Sequence, residues 1–287
     1  MLPLARRLHV DLSHDRVKRL GRSTPTLCLE PRPPHGCGGS VAHYYHFLFD
    51  LLLPISRLLG DDDRQATFLL RPFGPLTQAL RDVLGADVDI RPPGDRSTTT
   101  APTILLGMNP RCVRVTARDL AAFRRFVFGR LGVDEPPEPD TIVLIERMPP
   151  DDYFVQHAEQ GGAGASRRSL RDHDHLRDWL AAAVRHPYRF LNLRLETMPL
   201  REQVEVFARC ALVVGQHGAG LANLVWMPCG QNVLELNDAS QKHFEILSRV
   251  RRNRFLRYQL PAPHAVVDVA RFHDWIGRQS ALRRFIT

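Results

Sequence analysis

The residues of this sequence best suited to hold a phosphate follow a short apolar run at 212–214. The segment reads Ala211-Leu-Val-Val-Gly-Gln-His-Gly-Ala-Gly-Leu-Ala-Asn223, and its glycines predict a tight turn from a buried strand into a short helix at 221–226. Such a turn leaves backbone N–H groups unpaired at a helix start, where an anion such as a diphosphate is favoured. The glycine spacing alone is weak evidence, because turns of this kind often exist only to pack closely.

A second set of chemically competent residues comprises His43, His46 and Asp50. Spacings of three and four residues place these side chains on one face of a helix. An imidazole, oriented in one version by a carboxylate, can take a proton from a hydroxyl, so His46 and Asp50 are the candidate catalytic residues. Polar side chains in an aromatic-rich helix are also often satisfied core or capping groups.

Alternating strand and helix patterns must position both sets. Two blocks of them flank a charged, proline-rich stretch at 132–140, which is the predicted linker. Repeated strand–helix–strand order predicts an α/β fold with parallel sheets, whose ligands bind beyond the carboxyl ends of the strands. The predicted strands are 66–70, 88–90, 103–106, 141–145, 189–193, 212–214 and 233–236, and the predicted helices are 75–84, 116–131, 170–184, 200–209, 221–226 and 241–250.

Composition narrows the class of protein. Of 287 residues, 39 are basic, but only Lys18 and Lys242 are lysines, which excludes a P-loop and disfavours Schiff-base chemistry. The formal charge of +8 fits an anionic partner, whether a phosphorylated small molecule, an anionic lipid surface or a nucleic acid. Nucleic acid ranks lowest because no zinc-finger or RRM signature is present.

Five scattered cysteines predict no disulfide framework, and neither they nor Asp61-Asp-Asp63 predict a metal site.

Localisation follows from what the sequence lacks. No apolar run reaches the length of a membrane span, and the first residues lack the pattern of a signal peptide. We therefore expect a cytoplasmic protein. Its basic charge adds the expectation of peripheral association with the anionic inner membrane surface.

Beyond these patterns, the sequence resembles the family 61 glycosyltransferases. HGAGLAN at 217–223, followed by WMPCGQNVLEL at 226–236, is similar to the C-terminal signature of that family. Several matches in the family's order are far more specific than any one of them. The other matching segments are 38–54, similar to the family's Tyr-x-His-x-x-x-Asp helix; 142–147, similar to its strand ending in arginine; 166–171, similar to its second basic motif; and 199–214, similar to its last helix and strand before the turn.

This resemblance implies an α/β fold of the GT-B type, in which two Rossmann-like domains face each other across a cleft. The implied divisions are an acceptor-side domain at 1–135, a nucleotide-sugar domain at 136–265, and a final segment at 266–287 whose helix crosses back to the first domain. Three departures from the family pattern leave the donor open: Ala222 replaces Ser or Thr, Arg171-Asp-His replaces Asn-Glu, and the chain is short.

The implied reaction is inverting transfer of a sugar from a nucleotide diphosphate sugar, with UDP the expected nucleotide, to a hydroxyl of a glycan, glycolipid or protein. No metal or other cofactor is expected. The alternative is a catalytically inactive nucleotide-binding or interaction module with the same fold.

The predicted donor site has two parts. The backbone at Gly218, Ala219 and Gly220 receives phosphate oxygens, and arginines add charge-assisted bonds. The arginines are Arg147, at the end of a predicted strand, together with Arg167 or Arg168.

Three neighbours of the turn complete the predicted donor site. His217 binds the diphosphate or the donor sugar, or only braces the turn. Glu235 accepts ribose hydroxyls, as acidic residues do in other doubly wound folds, or caps a helix. Asn223 braces the turn.

Overall fold

The structure is a computed structural model, and it describes residues 8–11, 26–28, 43–59, 67–69, 74–85, 90–91, 103–107, 115–150, 152, 164–238 and 241–286. The chain divides into two compact units, Met1–Gly132 and Val133–Thr287. The division falls at the start of the proline-rich stretch at 132–140. Gly132 ends the preceding helix in the left-handed conformation (φ 62°), which glycine adopts without a steric penalty. The roles assigned to the domains stay predictions.

The first unit contains a five-stranded sheet in the order β1-β5-β2-β3-β4, with every neighbouring pair parallel. Strands β1 and β2 were not predicted, because runs of three or four residues are too short to show periodicity. The strands are β1 (Leu8–Asp11), β2 (Thr26–Cys28), β3 (Thr67–Leu69), β4 (Ile90–Arg91) and β5 (Thr103–Gly107).

The described helices of the first unit begin with a continuous segment at 44–59, which changes type twice. They are α1 (Tyr44–His46), a π-helix (Phe47–Leu52), α2 (Leu53–Leu59), α3 (Leu76–Leu84) and α4 (Ala117–Leu131). Helix α4 begins with a capping box, in which Thr116 and Asp119 satisfy each other's backbone N–H groups. An ion pair of 2.9 Å between Arg57 and Asp119 ties α2 to α4.

The second unit contains a five-stranded sheet in the order β11-β10-β9-β6-β8, again parallel throughout. Its strands are β6 (Thr141–Ile145), β8 (Arg189–Leu193), β9 (Cys210–Gln216), β10 (Asn232–Asn237) and β11 (Arg254–Gln259), and β7 (Ser169–Leu170) pairs separately with β12 (His264–Ala265). Its helices are α5 (Gly164–Arg167), α6 (His173–Ala183), α7 (Leu200–Ala208), α8 (His243–Val250) and α9 (Val269–Arg278), with 3₁₀-helices at Leu195–Thr197 and Ala219–Val225.

The predicted α/β class with parallel sheets is confirmed. Strands β6, β9 and β10 are buried along their whole length, as expected of a parallel sheet covered on both faces. Strand β11 was not predicted, because arginines interrupt its apolar pattern. The face-to-face arrangement of a GT-B fold stays a prediction.

The final helix packs within the second unit. Phe272 and Ile276 of α9 are buried in the same hydrophobic cluster as Leu176 and Leu180 of α6. The backbone N–H of Arg185 donates to the carbonyl of residue 285 over 2.8 Å. The crossing of this segment to the first domain stays a prediction. Among the described helices, none has both the length and the apolar character needed to cross a membrane.

Candidate functional site

The register of the second sheet brings the ends of three strands together. Ile145 of β6 and Glu235 of β10 both pair with Gly215 of β9. Arg147 and His217 each lie two residues beyond this level, at the carboxyl edge of adjacent strands. This edge is where parallel α/β sheets bind their ligands.

The glycine turn at this edge presents three consecutive backbone amides. The N–H of His217 donates to the carbonyl of Leu236 over 2.9 Å, which anchors the start of the turn. Within the described ranges, the N–H groups of Gly218, Ala219 and Gly220 donate to no protein acceptor, and all three residues are half-buried. Unpaired amides that remain accessible are the donors that an anion requires.

The short helix predicted at 221–226 is a 3₁₀-helix, Ala219–Val225. This helix has seven residues and ends shortly before Pro228. Proline lacks the backbone N–H that would continue a helix. A helix this short contributes little macrodipole. Any stabilisation of an anion must therefore come from the individual amides and from nearby arginines.

Glycine is required at positions 215, 218 and 220 for different structural reasons. A Cβ on Gly218 would overlap the guanidinium of Arg147, although the backbone there is extended (φ 173°) and open to any residue. Cβ atoms on Gly215 and Gly220 would instead lie 3.2 Å and 3.0 Å from apolar side chains. Gly215 and Gly220 thus permit close packing, whereas Gly218 makes room for the arginine.

Arg147 holds the turn in place. Its Nη1 donates to the carbonyl of His217 over 2.9 Å, and its Nη2 donates to the carbonyl of Gly164 over 2.7 Å. The Nε of the same guanidinium is buried and has no hydrogen-bond partner among the described residues. Arg147 therefore ties two distant segments together and keeps further donors at the carboxyl edge.

Two other arginines add positive charge around Arg147. Arg168 is buried and its Nε donates to Asp238 over 2.8 Å, whereas Arg167 is exposed at the end of α5. Burial lowers the pKa of Arg147 to about 10, Glu196 opposes this shift, and the charges of Arg168 and Arg167 add to it. The guanidinium still carries its charge at neutral pH. A bound anion would stabilise this charge against burial and against the neighbouring arginines.

His217 belongs to a buried polar network that the sequence did not reveal. Its Nδ1 lies 2.6 Å from Oε1 of Glu235, and Oε2 of Glu235 accepts hydrogen bonds from Arg257 (2.9 Å) and Asn237 (3.1 Å). Burial raises the pKa of the Glu235 carboxyl, but the bonds from these three residues outweigh it and hold the pKa below its ordinary range. Glu235 is therefore ionised at neutral pH.

This network surrounds the carboxylate of Glu235. Its side chain is fully buried, and both carboxylate oxygens are already engaged. Oε1 of Glu235 lies against Nδ1 of His217, so the carboxylate contacts the imidazole directly. Contact of Glu235 with ribose hydroxyls and capping of a helix stay predictions.

Asn223 is fully buried and braces the turn from behind. Its Nδ2 donates to the carbonyl of Gly220 (3.2 Å) and to Oε1 of Gln203 (2.9 Å). Gln203 in turn donates to the carbonyls of Leu195 and Met198. The sequence did not identify Gln203, because nothing in α7 marks it as a partner of the turn.

The predicted catalytic pair lies in the first unit. His46 is half-buried at the end of α1, and its ring makes an edge contact with Tyr45 (centroids 5.4 Å apart). Asp50 follows in the π-helix, and its side chain lies outside the described part. Because π-helical hydrogen bonds span five residues, four residues no longer equal one α-helical turn here. π-Helical stretches are frequent at functional sites, so both residues stay candidates. Within the described residues, no three His, Cys, Asp or Glu side chains come together as metal ligands would.

The fold and this edge define a class of protein, an α/β protein with unpaired amides and arginines at the carboxyl edge of a parallel sheet. The chain matches the family model Glycosyltransferase 61 over residues 44–234, about two thirds of its length, and it belongs to this family. The matched range contains the glycine turn, all three arginines and the helical segment with His46. A comparison with curated proteins finds no match.

Proposed function

We propose that the protein transfers a sugar, with inversion, from a nucleotide diphosphate sugar to a hydroxyl of a glycan, glycolipid or protein. UDP is the expected nucleotide. The observation that carries the proposal is a set of hydrogen-bond donors at the carboxyl edge of the second sheet. There, three unpaired amides lie beside Arg147 in a chain of a glycosyltransferase family.

The leaving diphosphate is the part of the reaction that this site serves. The amides of Gly218, Ala219 and Gly220 donate to phosphate oxygens, and Arg147 with Arg168 or Arg167 adds charge-assisted bonds. A hydrogen bond to a charged group is worth about 1.5–3 kcal/mol. Donors fixed in place before the reaction stabilise charge that develops as the sugar–phosphate bond breaks.

The other requirement is a base for the acceptor hydroxyl, and His46 is its candidate, with Asp50 as the alternative. We propose no metal or other cofactor, because guanidinium and amide groups supply the positive charge. The protein acts in the cytoplasm, and its formal charge of +8 favours an acceptor at the anionic inner membrane surface.

Release of UDP tests the proposal. Incubation with UDP-sugars and a panel of glycan and glycolipid acceptors should release UDP only when an acceptor is present. At saturating donor and acceptor, His46→Ala should lower the turnover rate by about 100-fold or more, the contribution of a general base. His175→Ala, at an exposed position of α6, should not change it. Thermal stabilisation by UDP without any release would identify an inactive binding module, and unchanged turnover in His46→Ala would remove this residue from the chemistry.

A further inference from the structure

We propose that binding of the donor diphosphate is coupled to the uptake of one proton at Nε2 of His217, and that Glu235 is the positioning residue for the resulting imidazolium. This inference rests on the proposed function, since it concerns the same diphosphate. It adds a protonation step that neither the family nor the glycine motif specifies.

The tautomer of His217 follows from its partner. An ionised carboxylate accepts hydrogen bonds and cannot donate one. Oε2 of Glu235 already accepts from Arg257 and Asn237, and Oε1 lies 2.6 Å from Nδ1 of His217. The proton on the ring is therefore assigned to Nδ1, which leaves a lone pair on Nε2 when the imidazole is neutral.

Nε2 of His217 has no hydrogen-bond partner among the residues that the structure describes. The ring is held at the carboxyl edge, where the carbonyl of His217 accepts from Arg147 and the next three residues supply the unpaired amides. A phosphate oxygen bound to these amides would occupy the same turn that carries the imidazole. Two acceptors facing each other repel, whereas a proton on Nε2 converts the pair into a charge-assisted hydrogen bond.

Charged groups of both signs surround the ring of His217. Two carboxylates favour an imidazolium: Glu235, in direct contact, and Asp238, which pairs with Arg168. Burial raises the pKa of the Asp238 carboxyl, but its hydrogen bonds and the charge of Arg168 outweigh burial and hold the pKa below its ordinary value. Three arginines oppose it, namely Arg147 on the carbonyl of His217, Arg168 on Asp238 and Arg257 on Glu235. Helix α8 presents His243 (ring centroids 6.1 Å apart) and the uncharged Phe244 (5.1 Å apart). A bound diphosphate adds negative charge at this edge, and nearby negative charge favours a proton on an imidazole.

Calorimetric titration with UDP measures this proton directly. The heat of binding is compared in buffers of different ionisation enthalpy at about pH 8, the upper end of the range in which histidine changes charge. At this pH the terminal phosphate of UDP has lost its second proton, because that proton dissociates at about pH 6. We expect an uptake approaching one proton per UDP, and an affinity that falls up to about tenfold for each further unit of pH.

Three variants locate the proton. His217→Gln keeps a neutral hydrogen-bonding side chain and leaves Glu235 paired with Arg257, so it should bind UDP with no proton uptake and little dependence on pH. His243→Gln removes the neighbouring, exposed imidazole and should keep the wild-type uptake. Glu235→Gln removes the charge behind the ring and should reduce the uptake. Circular dichroism checks each fold, and if Glu235→Gln does not fold, His217→Gln decides the matter alone.

The outcomes separate this inference from the proposed function. UDP binding with no dependence on the buffer, or with the same uptake in His217→Gln, would overturn the proton coupling and leave the proposed function standing. A protein that binds no nucleotide diphosphate at all would overturn the proposed function itself.

Discussion

Replacing Arg147 by alanine is expected to weaken the binding of UDP by about 10- to 150-fold, the value of one charged hydrogen bond. The guanidinium supplies positive charge at the carboxyl edge and also holds the carbonyls of His217 and Gly164. Its removal therefore takes a phosphate ligand away and loosens the turn that presents the amides. Calorimetry with UDP measures the change in the dissociation constant.

Two controls make the Arg147 result specific. Arg147→Lys keeps the charge, but an ammonium lacks the planar fork that spans two carbonyls on separate segments, so it should restore only a small part of the affinity. Arg201→Ala removes an exposed arginine of α7 that pairs with Glu205 of the same helix and should not change the affinity. An Arg147→Ala protein that binds UDP as the wild type does would show that this arginine only braces the turn.

Replacing Gly218 by alanine is expected to produce nearly the same loss of UDP affinity, through Arg147. The backbone at Gly218 is extended, so alanine causes no backbone strain, but its Cβ occupies the place of the guanidinium. The guanidinium must move, and we expect its hydrogen bonds to the two carbonyls to be lost. Because the two substitutions remove one interaction, the double variant should bind UDP no more weakly than Arg147→Ala alone.

Gly129→Ala is the matched control for the Gly218 variant. Gly129 lies in α4, where a Cβ would meet nothing within 4 Å, and alanine is the better helix former by up to about 1 kcal/mol. We expect unchanged UDP affinity and an equal or higher melting temperature. Losses that simply add in the double variant would mean that Gly218 acts independently of Arg147.

The parts of the site that are continuous in the sequence could be predicted from it. Strand β9, the glycines that follow it and Arg147 after β6 all have local signatures. In each case a buried apolar run is followed by glycine or arginine within one short segment. Parallel pairing of β6 with β9 then brings Arg147 to His217. For this reason, the sequence predicted Arg147 and His217 at the same edge of the sheet, although it could not predict the contact between them.

The network behind His217 could not be predicted in the same way. Arg257 faces Glu235 only because β11 pairs with β10 in that register, and β11 was not recognised as a strand. Asn237 and Gln203 carry no signal of their own, because their roles depend on what the fold places beside them. The sequence suggested ribose contact for Glu235, because acidic residues near strand ends play that part in other doubly wound folds. Its burial and its contact with His217 depend on the fold and were not visible in the sequence.

The central claim of this account is that the amides of Gly218, Ala219 and Gly220 receive the diphosphate. The most direct measurement follows the backbone amide resonances of isotopically labelled protein during titration with UDP and, separately, with uridine, which carries no phosphate. We predict that the resonances of these three residues move with the calorimetric affinity of UDP and stay in place with uridine. If UDP binds and these resonances do not move, or if uridine moves them equally, the diphosphate lies elsewhere and the account is wrong.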